Sequence, residues 1–299
     1  MARRTVTVDP ALDLVCTLAP LQVGRHDPTI HLTATTVLRA MRTPDGPATL
    51  RADHHDAEVD VQAWGDGASW VLEASPELLG CRDSRDGFQP DQHEVVGRIA
   101  RGLPGLRLPR TGLVVEALVP SILSQRVTGF EARRSFRLLV ERWGEPAPGP
   151  GGLRVLPPAD LIAELPYYDL HVIGVEKERA DTLKRACAGA GRLEQAGALG
   201  PDELRLRLEA IPGIGRWTSA ETSRMALGDP DAVSVGDFHL KHLVSWALAQ
   251  EPRGTDHRML ELLEPFVGHR GRVCRLLEAS GLRAPRYGPR KRIQPTARR

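Results

Sequence analysis

The hydrophobic period of this 299-residue chain changes once, near residues 83 to 90, and that change limits the folds open to it. Ahead of it, Leu12, Leu14, Cys16 and Leu18 alternate, which reads as a strand. Turn signals at Thr43-Pro44-Asp45-Gly46 and Trp64-Gly65-Asp66-Gly67 then separate segments 34 to 42, 47 to 53, 57 to 63 and 68 to 74. This pattern predicts an antiparallel meander. A sheet of that kind needs cover on its apolar face, for which a short helix at 76 to 80 is available. Beyond residue 90 the spacing predicts helices over 91 to 102, 112 to 124, 128 to 143, 158 to 165, 175 to 189, 201 to 211, 216 to 227, 237 to 249, 256 to 265 and 269 to 280. The stretch GEPAPGPGG at 144 to 152 is too rich in Pro and Gly for either period and reads as a surface loop. The expected organisation is an α+β antiparallel-sheet domain over 1 to 87, an all-α domain over 88 to 282, and a basic, disordered tail over 283 to 299.

With 41% apolar residues the chain can fill real cores. No apolar run approaches the ~18 residues of a membrane span. The opening MARRTVTVDP lacks an apolar leader core, so the expected address is the cytoplasm, with no membrane partner. Cys16, Cys81, Cys187 and Cys274 are too widely spaced for a local metal clip, and buried free thiols are the expectation. Residues 281 to 299 hold seven Arg and Lys and no acid, leaving a net charge of −5 in the rest of a chain whose total is +2. Such a tail suits phosphate binding or plain solvation.

The densest local signal is LEAIPGIGRWTSAETSRMALGDP, Leu208 to Pro230. One helix ends at Pro212, and another starts at Arg216. Gly213 and Gly215 permit positive φ and close approach of another backbone. The N–H groups of residues 213 to 217 then face outward beside Arg216, as an anion site would have them. A tight corner with no ligand fits the four residues PGIG equally well.

In a wider frame the chain resembles the helix-hairpin-helix DNA glycosylases, and within them the bacterial DNA-3-methyladenine glycosylase II type. The motif of that family stands here as Leu208-Glu209-Ala210-Ile211-Pro212-Gly213-Ile214-Gly215-Arg216-Trp217-Thr218-Ser219. VSVGDFHLKH places Asp237 22 residues after Gly215, and ALVPSILSQRVTGFEARR at 117 to 134 matches a third family segment. The resemblance covers residues 91 to 282. It implies a mainly α helix-hairpin-helix glycosylase domain behind the sheet and a monofunctional DNA glycosylase of base-excision repair. Such an enzyme flips out an alkylated purine of the 3-methyladenine type and hydrolyses its N-glycosidic bond. The implied partner is double-stranded DNA with a damaged base, bound by a monomer at the nucleoid. A different damaged base read by Glu221, and a non-catalytic DNA-structure binder, are the alternatives.

The roles follow residue by residue. Asp237, which by itself reads equally as a helix cap, is the implied catalytic carboxylate, and Trp217, Glu221 and Phe238 are the implied base pocket. Gly213, Ile214, Gly215, Arg216, Thr218, Gln125, Arg126 and Lys241 are the implied DNA contacts, Arg126 as a wedge into the gap left by the flipped base. Lys241, four residues after Asp237, is expected on its helical face as a salt-bridge or phosphate partner. Lyase members carry Lys where Trp217 stands, so no strand cutting is expected. Glu221 is a departure, because this branch tends to an aromatic there; the carboxylate suits a base edge or an i+3 pair with Arg224. The resemblance also implies a Na⁺ or K⁺ on hairpin carbonyls near Ile211 and Gly213, and no organic cofactor.

Overall fold

A computed structural model describes residues 1 to 285; the greater part of the expected tail, 286 to 299, lies outside the described residues. Strands β1 (Ala2–Thr7), β2 (Ile30–Leu32), β3 (Thr36–Thr43), β4 (Gly46–His55) and β5 (Glu58–Gly65) form one antiparallel sheet in the order β1-β5-β4-β3-β2. Val37, Leu50, Val59 and Val61 bury one face of it. Two expectations are corrected here. The alternating stretch from Leu12 is helix α1 (Leu14–Leu18), because the Asp13 carboxylate accepts the Cys16 N–H at 2.8 Å and caps a turn. Residues 68 to 74 belong to helix α2 (Ala68–Leu78), which buries Val71, Ser75 and Leu78 at helical spacing against the sheet.

The helical part runs α3 (Glu94–Gly102), α4 (Val114–Leu123), α5 (Gly129–Trp143), α6 (Ala159–Glu164), α7 (Tyr167–Val172), α8 (Lys177–Ala188), α9 (Ala190–Leu199), α10 (Pro201–Glu209), α11 (Arg216–Leu227), α12 (Leu240–Ala249), α13 (Asp256–Leu263) and α14 (Arg270–Ala279). It has two cores. Residues of α4 to α11 build one, with α4 lying against α11, while α3 and α12 to α14 build the other. Short α7 and Gly/Ala-rich α9 escape the sequence pattern. Yet α9 supplies Glu194, whose carboxylate accepts the N–H groups of Val114 and Val115 at 2.9 Å and so caps α4.

The Pro/Gly stretch after α5 is not wholly loop. Its ends pair as a short ribbon, β6 (Glu145–Pro146) with β7 (Arg154–Val155), and Leu153 and Val155 pack on Ala40 of the sheet. Arg154 N–H donates to the Pro28 carbonyl at 2.8 Å. From the opposite face of the sheet Arg39 of β3 meets Glu116 of α4 at 3.2 Å. The sheet is thereby held against the helices, and a cleft is left beside α4 and α11. No helix among the described residues is long and apolar enough to cross a membrane. All four cysteines are free; Cys187 and Cys274 are buried as expected, whereas Cys16 is half-buried and Cys81 exposed. Burial pushes the Cys187 thiol up to about 12, so it stays a packed, unreactive SH.

Candidate active site

The hairpin between α10 and α11 is clamped from two sides. Gly213 has φ +96°, and a Cβ there would lie 2.0 Å from Thr182 Oγ1 of α8, so the position demands glycine twice over. Arg185 Nη2 donates to the Pro212 carbonyl at 2.9 Å, and Gln125 Nε2 donates to the Gly213 carbonyl at 3.0 Å and to Thr218 Oγ1 at 2.8 Å. Gly215 departs from expectation, because its φ is −113°. Nothing lies within 4 Å of a Cβ added there, so what its glycine leaves is open space.

Among the implied DNA contacts, Arg216 is exposed on the first turn of α11, and Arg126 stands out from the turn after α4 with φ +56° and a side chain 87% exposed, 3.6 Å from Glu178. Three others differ. Ile214 buries its side chain in the helical core and spends its N–H on the Ile211 carbonyl at 3.0 Å. Thr218 is buried, because the third residue of α11 faces inward, where its hydroxyl oxygen takes the Gln125 amide. Gln125 itself braces the hairpin. At the start of α11 the N–H groups of Gly215, Arg216, Trp217 and Thr218 are left over, the first intrahelical bond being that of Ser219 to the Gly215 carbonyl, and Gly215 offers no side-chain cap.

Asp237 precedes α12 rather than lying on it. Its Oδ1 accepts the N–H groups of His239 and Leu240, both at 2.7 Å, and its Oδ2 accepts the Trp217 indole N–H at 3.2 Å. The carboxylate is therefore a cap as well, with one oxygen fixed by backbone and the other turned to α11. Lys241 does not share a helical face with it, since α12 begins only at Leu240; its Nζ instead meets Asp256 at 3.6 Å, whose other oxygen accepts the Gly236 N–H.

Trp217 and Glu221 line a cavity of about 490 Å³ between α4, α11, α14 and the segment from Ala19 to Gly24. Phe238 is not part of it. Asp237 turns inward to cap α12, and Phe238 is left outside, 73% exposed, edge-on to His239 and His242. Glu221 Oε1 takes the Ser234 hydroxyl, and its Oε2 takes Arg224 Nη2 at 3.4 Å. Arg224 Nη1 reaches Glu278 of α14 at 3.2 Å. Burial raises the Glu221 carboxyl above its ordinary value; Arg224 opposes this, while Glu278 and Asp237 add to the rise. Glu278 and Arg275 of this wall, and Ser234 that holds Glu221, carry no local sequence signal, because the loop and α14 reach α11 only in the folded chain.

The carbonyls named for a monovalent cation already have donors: Ile211 from Ile214, Gly213 from Gln125, and Pro212 between them from the Arg185 guanidinium. An ion there would share each oxygen and meet a fixed positive charge, so no chemical step is given to one.

No family model matches the chain. A stretch of 174 residues, 57% of the chain, is 32% identical to a probable bifunctional transcriptional activator/DNA repair enzyme AlkA of Mycobacterium tuberculosis. The match spans about a third, 33%, of that relative's length. Among solved structures, a 3-methyladenine DNA glycosylase from Archaeoglobus fulgidus superposes with a TM-score of 0.79 over 94% of this chain and 99% of that one, at 18% identity. A Clostridium acetobutylicum 8-oxoguanine glycosylase/lyase in complex with double-stranded DNA does so with a TM-score of 0.70 over 90% and 91%, at 14% identity. At such identities the likeness is one of fold.

Proposed function

We propose that this chain, a helix-hairpin-helix DNA glycosylase in fold and in hairpin motif, is a monofunctional enzyme of base-excision repair that hydrolyses the N-glycosidic bond of alkylated purines in duplex DNA. One observation carries the reading. Asp237 Oδ2 is held by the indole N–H of Trp217, the residue that also lines the cavity, so one side chain links a fixed carboxylate to a space sized for a base.

Base loss builds positive charge on the deoxyribose, as in other glycoside cleavages. An anion preorganised beneath that sugar stabilises the charge as it develops. Asp237 keeps its charge for this, and beyond the bonds to His239, Leu240 and Trp217 its Oδ2 keeps one lone pair with which to orient water. The base reaches the cavity by leaving the stack, at a cost of a few kcal/mol that is lower for a damaged pair. Trp217 offers it a flat wall, and Arg126 fills the gap. Strand cutting needs an amine at the sugar. Trp217 has none, and the described lysines are engaged: Lys177 with Asp181, Lys184 with the Leu165 carbonyl, Lys241 with Asp256. The product is then an intact abasic site. The reaction so written asks for no organic cofactor, and a monomer acting at the nucleoid suffices for it.

Duplex DNA treated with a methylating agent tests this, with free bases measured by mass spectrometry and strand breaks counted before and after alkali. Base release with breaks only after alkali is expected. Breaks without alkali would overturn the monofunctional assignment, and tight binding without release would leave a DNA-structure binder. A different damaged base is the second reading, favoured by the carboxylate that Glu221 adds to the cavity lining.

The two hairpin glycines should separate stability from binding. Gly213→Ala should lose about 1–3 kcal/mol in urea unfolding, from positive φ and the Thr182 clash. Gly215→Ala should unfold within about 0.5 kcal/mol of the parent, yet bind duplex DNA at least about tenfold more weakly by fluorescence anisotropy, because its methyl group occupies the space left for the phosphate backbone.

A further inference from the structure

The polar wall of the cavity says which edge of a base it can read. Glu221 and Glu278 have side chains 22% and 34% exposed, whereas Arg224 between them is 9% exposed. All three line the cavity, and the two glutamates are more open to an entering base than the guanidinium. Each Glu221 oxygen spends one lone pair within the protein, on Ser234 or on Arg224, and keeps another. Ser234 and Arg224 fix the direction of the carboxylate.

A carboxylate with both oxygens presented accepts two adjacent N–H donors. The Watson–Crick edge of guanine offers such a pair, N1–H beside the N2 amino group. The same edge of adenine sets an amino donor beside the lone pair of N1, which would face a carboxylate lone pair. Purines alkylated on a ring nitrogen carry positive charge while still in DNA, so charge does not separate the two bases. The edge does, and methylation at N7 leaves it intact.

We propose that Glu221, directed by Ser234 and Arg224 and joined by Glu278, is the specificity-determining residue that selects guanine-derived lesions over adenine-derived ones through the N1–H and N2 amino edge. This rests on the glycosylase reading of the site. Sites built to hydrogen-bond a substrate discriminate strongly against analogues that leave the buried group without its partner.

Full-length protein and its Glu221→Gln variant are incubated with DNA carrying both 7-methylguanine and 3-methyladenine, and both bases are measured in the same tube by mass spectrometry. Glu221→Gln is expected to move the ratio of 7-methylguanine to 3-methyladenine release at least about tenfold toward adenine. An equal loss of both bases would overturn the proposal while leaving the glycosylase reading intact. Release of neither base by the parent protein would instead sink that reading, and the proposal with it. Should circular dichroism show that Glu221→Gln does not fold, Ser234→Ala, which removes no charge, must shift the same ratio several-fold in the same direction. An unmoved ratio would overturn the proposal.

Discussion

Asp237→Asn is expected to lower single-turnover base release at least about a hundredfold, by ~3 kcal/mol or more of lost transition-state stabilisation, while changing the unfolding free energy by less than about 1 kcal/mol. The separation follows from the two jobs of the side chain. Asn is as good a cap as Asp, and its amide oxygen can keep the His239 and Leu240 N–H groups that hold Oδ1 at 2.7 Å. The amide NH₂ then stands where Oδ2 stood, facing the Trp217 indole N–H, donor against donor. The negative charge, which alone answers the charge developing on the sugar, is gone. Thermal unfolding and mass-spectrometric base release on the same preparation check both halves. Unchanged release would remove Asp237 from the chemistry, and a large fall in stability would mean that its cap role dominates.

The hairpin was legible because it depends on short-range chemistry, whereas Asp237 was singled out by the family resemblance. Pro212 ends one helix, Gly213 must adopt positive φ, and 20 residues separate Trp217 from the carboxylate that it holds. Misread segments had ambiguous local periods. Leu12 to Leu18 alternates like a strand until the Asp13 cap decides for a helix, and Val71, Ser75 and Leu78 show their helical spacing only against the sheet. The site was half legible for the same reason. Trp217 and Glu221 lie one turn apart on α11, but Ser234 and Glu278 join Glu221 by tertiary contacts that no local pattern encodes. Phe238 shows the opposite error. The resemblance implied a pocket wall there, and the capping turn sends the Asp237 and Phe238 side chains different ways.

Asp83→Ala is expected to cost about 3–5 kcal/mol in denaturant unfolding, because it strands the guanidinium of Arg272 in the interior. The two side chains are 3% and 2% exposed. Arg272 Nη1 and Nη2 donate to Asp83 at 2.7 and 2.6 Å, Nη2 also reaches the Ser84 carbonyl, and the second Asp83 oxygen takes the Leu108 N–H at 3.0 Å. Removing the carboxylate leaves a buried charge with the Ser84 carbonyl, the His269 ring and the face of Phe88 as its remaining partners. Removing both charges is different: Asp83→Leu with Arg272→Met should recover most of the loss, since a packed apolar pair avoids desolvating two ions. If the single variant unfolds like the parent, the pair is not a structural tie. The consequence reaches the site through α14, which carries both Arg272 and Glu278. Loosening the anchor at residue 83 should blur the position of Glu278 beside Arg224, so base selectivity in Asp83→Ala should fall even under conditions where the protein remains folded.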